Sequence, residues 1–106
     1  MIRPIVTAII LSFMGTANCF SQDAANGKTL YKKCIACHGK AGEGKKSQKA
    51  PNIAGQYDWY IVKAITDMKA GKRKNLKMLP FIKKLNEQQI KDLAAYVSSL
   101  PWKSSK

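Results

Sequence analysis

Hydrophobic residues recur three and four positions apart in two stretches of this chain, which is the spacing of one face of an α-helix. The first stretch predicts a helix from Asp58 to Ala70, ended by Gly71. The second predicts a helix that Asn86 caps and Pro101 ends. The apolar positions are Tyr60, Ile61, Ala64, Ile65 and Met68 in the first helix and Ile90, Leu93, Ala94, Val97 and Leu100 in the second.

The remaining segments fit short helical pieces and loops. A helix is expected to start near Asp23, an N-cap residue type, and to run into Cys34. Residues 39–47 are rich in glycine and lysine and predict a surface loop, while Pro80 begins a short apolar turn. No segment alternates in the manner of a convincing strand, so the predicted fold class is all-α, with one domain.

The first 21 residues have the pattern of an export signal. Arg3 is their only charge, and an almost wholly apolar run from Ile5 to Met14 is followed by small residues. This run is about half of the roughly 20 residues that a membrane-spanning helix needs. We therefore expect residues 1–21 to be a cleaved signal peptide, with no permanent membrane anchor. Residues 22–106 would then form the mature domain in the periplasm.

The segment Cys34-Ile35-Ala36-Cys37-His38 carries the chemistry. Cys-x-x-Cys-His is the attachment pattern of c-type haem. Cysteines three apart on a helical turn project to the same side, where they can reach the two vinyl groups of one porphyrin. His38 then follows in a place where its imidazole can bind the iron. The motif predicts one covalent haem c bound by Cys34 and Cys37, with His38 as an iron ligand.

Three other functions of the motif are less well supported. A structural zinc site needs four ligands, whereas residues 22–106 contain two cysteines and one histidine. A thioredoxin-like redox pair would accompany a βαβ pattern, and no strands are predicted. A disulfide between Cys34 and Cys37 would close a very small loop and add little stability. Haem attachment explains the motif best.

The second axial ligand must come from another part of the chain, because His38 is the only histidine. Met68 and Met78 are the candidates in residues 22–106. Met68 lies on the apolar face of a predicted helix, so a core role explains it well. Met78 lies in an irregular, basic segment, where a thioether has no packing role, and is the stronger candidate. Coordination by histidine and methionine would leave no iron site open to substrate.

Together these residues resemble the bacterial class I cytochromes c, of the short soluble kind that also forms halves of dihaem cytochromes. The similarity covers roughly residues 23–100. In this family the first and last helices cross in close contact. The residues at that crossing resemble Gly27 and Tyr31 in the first helix and Leu93 to Tyr96 in the last helix. The resemblance implies a small fold whose loops wrap one covalently bound haem.

The resemblance also implies further site residues. Pro51, in the segment Pro51-Asn52-Ile53-Ala54-Gly55-Gln56, matches the proline whose carbonyl accepts a hydrogen bond from the proximal histidine. Gly71-Lys72-Arg73, five residues before Met78, is similar to the family's approach to the axial methionine and places Arg73 among the cofactor-binding residues. An aromatic wall near the haem is implied for Tyr57, Trp59 and Tyr60, although core packing explains these three equally well.

The charge of the chain indicates the kind of partner. Nineteen Lys and Arg residues against six acids give a formal net charge of +13 at pH 7. Such a field attracts acidic partners, so we expect redox proteins with acidic docking surfaces and a monomeric carrier. Lys40, Lys45, Lys72, Lys74 and Lys77 are the expected docking lysines. Nucleic acid binding is not expected, because the lysines are dispersed and no binding motif is present. The predicted function is electron transfer without catalysis.

Overall fold

The protein is described by a computed structural model over residues 22–103. The predicted signal peptide lies outside these residues and stays a prediction. Within them the chain forms helices joined by loops, and its one extended pairing is an isolated antiparallel bridge between Lys45 and Ala50. The predicted all-α class is therefore confirmed. No helix within residues 22–103 is long and apolar enough to cross a membrane.

Five α-helices and two 3₁₀ turns follow one another along the chain. The two longest helices, Asp58–Lys69 and Glu87–Ser99, agree closely with the hydrophobic pattern. The α-helices are α1 (Ala24–Leu30), α2 (Ile35–His38), α3 (Asp58–Lys69), α4 (Leu79–Ile82) and α5 (Glu87–Ser99), and the 3₁₀ turns span Tyr31–Lys33 and Lys46–Gln48.

The ends of the helices follow from local sequence. The Asp23 side chain accepts a hydrogen bond from the N–H of Asn26 and caps α1, as predicted. At α5, Asn86 Oδ1 accepts from Gln89 N at 2.8 Å while Gln89 Oε1 accepts from Asn86 N at 2.9 Å. This reciprocal pair is the predicted capping box. Gly71 ends α3 with a φ of +78°, a left-handed conformation that favours glycine.

The first helix differs from its prediction. It was expected to continue into Cys34, but α1 ends at Leu30 and the chain tightens into a 3₁₀ turn at Tyr31. The Tyr31 side chain is buried there, and its hydroxyl donates to the carbonyl of Gly39 at 2.5 Å. This contact joins residues eight positions apart, and helical periodicity does not reveal it. A 3₁₀ turn is common where an α-helix ends.

The α1 and α5 helices cross in close contact at Gly27. A Cβ atom on Gly27 would lie 2.0 Å from the carbonyl oxygen of Asp92 and 2.8 Å from the Cβ of Tyr96. One turn further on, the rings of Tyr31 and Tyr96 lie 5.4 Å apart. The predicted crossing of the first and last helices is confirmed, and it depends on the missing side chain of Gly27.

Asp92 joins the same two helices through hydrogen bonds. Its carboxylate is buried and accepts from the backbone N–H of Asp23, from Asn26 and from Gln88, all at 2.8–2.9 Å. Burial works to raise the pKa of Asp92, but these three hydrogen bonds outweigh it and lower the pKa below its usual value. Asp92 is therefore ionised at neutral pH and holds the start of α1 against α5.

The hydrophobic core lies mainly between α3 and α5. The predicted apolar faces point inward, apart from Leu100, which is half-buried outside the core cluster, and Tyr60, whose side chain is 40% exposed. Tyr60 lies at the start of α3, where the helix reaches the edge of the core. The buried core residues are Tyr31, Ile61, Ile65, Met68, Ile82, Leu85, Ile90, Leu93, Ala94 and Val97.

Replacing Gly27 with alanine should destabilise the protein. The added Cβ would force α1 away from the Asp92 backbone, and overpacking of this kind costs about 1–3 kcal/mol, in excess of the helix propensity that alanine adds. Denaturant titration of the Gly27→Ala variant measures the loss. Lys28→Ala, at the next and exposed position of α1, should stay within about 0.5 kcal/mol of the native protein. Equal stability of all three proteins would contradict the close crossing.

Candidate functional site

A cavity of about 380 Å³ lies between α3, α5, α4 and the end of the Cys-x-x-Cys-His motif. The helices contribute an apolar lining. Cys34, His38, Pro51 and Met78 all reach the same cavity. The apolar lining residues from α3 and α5 are Ile61, Ala64, Ile65, Met68, Leu93 and Val97.

The cysteines of the motif flank this cavity. Cys34 lies at the start of α2 and Cys37 lies within it, and both are half-buried free thiols. Burial, followed by the neighbouring Cys37, raises the pKa of the Cys34 thiol to about 11. The protonated thiol is therefore the form of Cys34 at neutral pH before its sulfur is joined to a haem. Cys37 lines a smaller cleft of about 90 Å³, which also includes Cys34, His38 and Met78.

His38 is fixed by a hydrogen bond on one ring nitrogen. The imidazole is buried, with 6% exposure, and its Nδ1 lies 3.0 Å from the carbonyl oxygen of Pro51. Because a carbonyl can only accept, Nδ1 is the donor in this bond, and in the neutral tautomer that fits it Nε2 keeps a free lone pair. Such a hydrogen bond orients an imidazole and raises its basicity as a metal ligand. His38 is thus prepared to coordinate a metal through Nε2.

Met78 lies just before α4 and lines both the cavity and the cleft. Its backbone N–H donates to Asn75 Oδ1 at 3.1 Å, so the turn that precedes α4 is held by a side chain. Met68 lines the larger cavity as well, but it is 7% exposed and belongs to the core cluster. The structure therefore brings both candidate methionines to the cavity. Met78 is half-buried and packs against the core cluster, so the expectation that it has no packing role was wrong.

The other predicted site residues divide into two groups. Tyr60 and Arg73 line the cavity. Tyr57 and Trp59 are not among its lining residues: their side chains are 69% and 62% exposed, and their rings stack at 5.9 Å. Tyr60 differs from Tyr57 and Trp59 because α3 begins at Asp58. A helical turn directs the side chains of neighbouring residues to different faces.

Residues not predicted from the sequence also lie at the site, among them Lys33, Lys49 and Asn75. Lys33 and Lys49 line the smaller cleft beside Cys37, together with the expected docking residue Lys77. Asn75 lines the cavity and the cleft and holds Met78. Of these residues, only Asn75 could have been predicted from the local sequence. An asparagine side chain at the start of a turn often accepts a hydrogen bond from a backbone N–H a few residues later, as Asn75 does from Met78.

The chemistry of these residues fits a c-type haem. An apolar cavity, a histidine with a free Nε2, a thioether and two neighbouring thiols together supply what a covalently bound, six-coordinate haem requires. A structural zinc site would need a cluster of ligating side chains. Within residues 22–103, no group of three or more His, Cys, Asp and Glu side chains is close enough to hold a metal ion.

Comparison with known proteins agrees with this reading. A family model described as "Cytochrome c" matches residues 24–101. The chain belongs to the cytochrome c family. The cofactor of this cytochrome c is accordingly a covalently bound haem c, as the motif predicts.

Individual relatives place the chain among small bacterial cytochromes. It is 36% identical over 91 residues to cytochrome c4 of Pseudomonas aeruginosa, covering 86% of this chain and 44% of the relative. It is 38% identical to cytochrome c-554(548) of Halomonas halodenitrificans, covering 73% of this chain and 95% of the relative. Thus this cytochrome spans about half the length of the cytochrome c4 relatives, and nearly all of a shorter one.

Solved structures share the fold. The thiosulfate dehydrogenase (TsdBA) structure from Marichromatium purpuratum matches with a TM-score of 0.72 and 27% identity, over 76% of this chain and 19% of that one. The predicted class I cytochrome c fold is confirmed.

Proposed function

We propose that this cytochrome c is a one-electron carrier in which His38 and Met78 would both hold the haem iron. The observation that carries the proposal is that His38 and Met78 line the same cavity as Cys34. When bound, the haem iron supplies reversible one-electron redox chemistry. The tasks of the protein are then to hold the ligands, exclude water and admit a partner.

Each residue of the motif has a separate role in this proposal. Cys34 and Cys37 form the covalent attachment, and His38 binds the iron through Nε2. Pro51 holds the imidazole at Nδ1 and increases its basicity. Met78 supplies the second ligand through its sulfur, because it reaches the cavity from a turn at the edge of the core, whereas Met68 is a buried member of the core cluster.

Two further cavity residues support the cofactor. Arg73, a cation with several N–H donors, suits the carboxylates that a haem carries. Tyr60 offers an aromatic surface at the cavity. The proposed aromatic wall is thereby supported for Tyr60 alone, since Tyr57 and Trp59 face solvent.

A role without catalysis is favoured over an open-site enzyme or gas sensor. An enzyme or gas sensor of that kind needs an iron position that is free for a ligand, and it usually needs a distal side chain that can exchange protons. His38 is the only histidine in the sequence, and Nδ1 of its ring is bonded to Pro51. No second histidine can therefore act as a base beside the iron.

The surface around the smaller cleft suits an acidic redox partner. Lys33 and Lys49 line the cleft, and Phe81, 47% exposed, lies among them. Cations around an apolar centre steer a partner by long-range attraction and then allow close contact. We propose that the protein works as a monomer in the periplasm, after cleavage of residues 1–21, and docks its partner at this face.

A second candidate function is electron transfer within a larger enzyme. It is favoured by the match to 19% of a thiosulfate dehydrogenase chain. The chemistry of the haem site would be the same in both cases. Co-purification with a stable partner at low salt would support this candidate, and a monomeric carrier would elute alone.

The visible spectrum of the holoprotein tests the ligand assignment. We expect a low-spin spectrum that carbon monoxide does not change, because His38 and Met78 occupy both axial positions. Met78→Ala should open the site and produce a high-spin form that binds carbon monoxide. Met68→Ala is the matched control, since it removes the other methionine that lines the cavity.

Two results would contradict the proposal. A native holoprotein that binds carbon monoxide would have an open iron site, as a sensor or enzyme does. Loss of the low-spin spectrum in Met68→Ala, with Met78→Ala unaffected, would assign the ligand to Met68.

Charge reversal tests the proposed docking face. Lys33→Glu and Lys49→Glu should slow electron exchange with an acidic redox protein and reduce the dependence of its rate on salt, because each removes a steering charge. Lys28→Glu, on the exposed surface of α1, makes the same charge change and is the control. Stopped-flow kinetics across a range of salt concentrations measure the effect. If all three variants show the same reduced salt dependence, net charge and not this face governs docking.

A further inference from the structure

Two separate segments meet at the smaller cleft beside the Cys-x-x-Cys-His motif. The proximal loop, residues 45–51, carries Pro51, which bonds His38. The distal segment, residues 75–78, carries Met78. Both segments contribute side chains to the lining of the cleft.

The proximal loop is closed on itself and attached to His38. Lys45 N donates to Ala50 O at 3.0 Å, and Ala50 N donates to Lys45 O at 3.1 Å. Gly44 N, just before the loop, donates to the His38 carbonyl at 2.8 Å, and Pro51 O lies 3.0 Å from His38 Nδ1. The loop is therefore held at both ends to the residue that we propose as the proximal ligand.

The distal segment is ordered by contacts within itself. Asn75 accepts from Met78 N through its side chain at 3.1 Å and from Leu79 N through its carbonyl at 3.2 Å. These bonds fix the shape of the turn. They do not fix the distance of the turn from the proximal loop, because both partners lie on the same short stretch of chain.

Lys77 connects the two segments. Its Nζ donates to the carbonyl oxygen of Gln48 at 2.7 Å, across a sequence separation of 29 residues. Because Lys77 precedes Met78 directly, this bond limits how far Met78 can move from the proximal loop. The chain of contacts thus runs from His38 through Pro51 and Gln48 to Lys77 and Met78.

We propose that Lys77 is a positioning residue that clamps the distal segment to the proximal loop and so restrains Met78 from leaving the iron. The inference rests on the proposed function, in which Met78 is an axial ligand. It assigns the Lys77 ammonium a role inside the protein, whereas Lys33 and Lys49 serve partner docking. A clamp at this place makes the sixth coordination position slower to open and harder for other ligands to enter.

Displacement of Met78 by imidazole tests the clamp on the ferric holoprotein. Imidazole is largely uncharged at pH 8, so its binding reports on opening of the iron site and not on surface charge. Lys77→Ala should bind imidazole roughly three- to tenfold more tightly than the native protein, the change expected when one hydrogen bond that holds the closed form is lost. Spectrophotometric titration measures the affinity.

Two matched variants separate the clamp from other effects. Lys74→Ala removes the same charge from a neighbouring exposed position and should leave imidazole affinity unchanged. Lys69→Ala removes a hydrogen bond of the same kind, from the Lys69 ammonium to the carbonyl oxygen of Leu85. This bond lies away from the cleft. The substitution should lower global stability without tightening imidazole binding. Equal affinities in Lys77→Ala and Lys74→Ala, or an equal increase in Lys69→Ala, would overturn the proposal.

Failure of the proposed function would look different. If native protein and Met78→Ala bind imidazole equally well, Met78 is not the ligand and the clamp has nothing to restrain. If Met78→Ala binds much more tightly than the native protein while Lys77→Ala matches the native protein, Met78 is the ligand and the clamp alone is wrong.

Discussion

The close crossing of α1 and α5 at Gly27 positions the rest of the described structure. Because Gly27 has no side chain, the α1 backbone can lie against Asp92, whose carboxylate secures the start of α1. The chain then turns at the buried Tyr31 and enters the Cys-x-x-Cys-His motif beside the core that α3 and α5 form. A loss of this crossing would therefore displace the motif as well as the two helices.

The site follows from that framework through a few polar contacts at the edge of an apolar cavity. The bond from His38 to Pro51 frees one imidazole nitrogen for the iron, and Asn75 shapes the turn that presents Met78. The lining from α3 and α5 is apolar, so a bound haem would add its own apolar surface to the core between these helices. Stability and function thus depend on the same cofactor.

Much of the fold and of the haem-attachment motif could be predicted from residues that are close in sequence. The motif, the Asn86 capping box and the helix-ending Gly71 each involve residues within a few positions, so the sequence reveals them directly. The placement of Tyr57 and Trp59 in solvent depends on where α3 begins, and the Lys77–Gln48 bond joins residues 29 positions apart. The first follows from helix geometry at the predicted start of α3, and the aromatic wall was expected there only through the family resemblance. The second depends on how distant segments meet, so periodicity does not reveal it. The bond between His38 and Pro51 was predicted only through family resemblance.

The central claim is that a covalent haem occupies this cavity. The most direct measurement is the intact mass of the purified protein under denaturing conditions, compared with a variant that carries Cys34→Ala and Cys37→Ala. We expect the native chain to retain the mass of one haem after unfolding and the variant to lose it, because thioether bonds survive denaturation. A native chain that shows only the mass of the polypeptide would contradict covalent attachment and the electron-carrier proposal that depends on it.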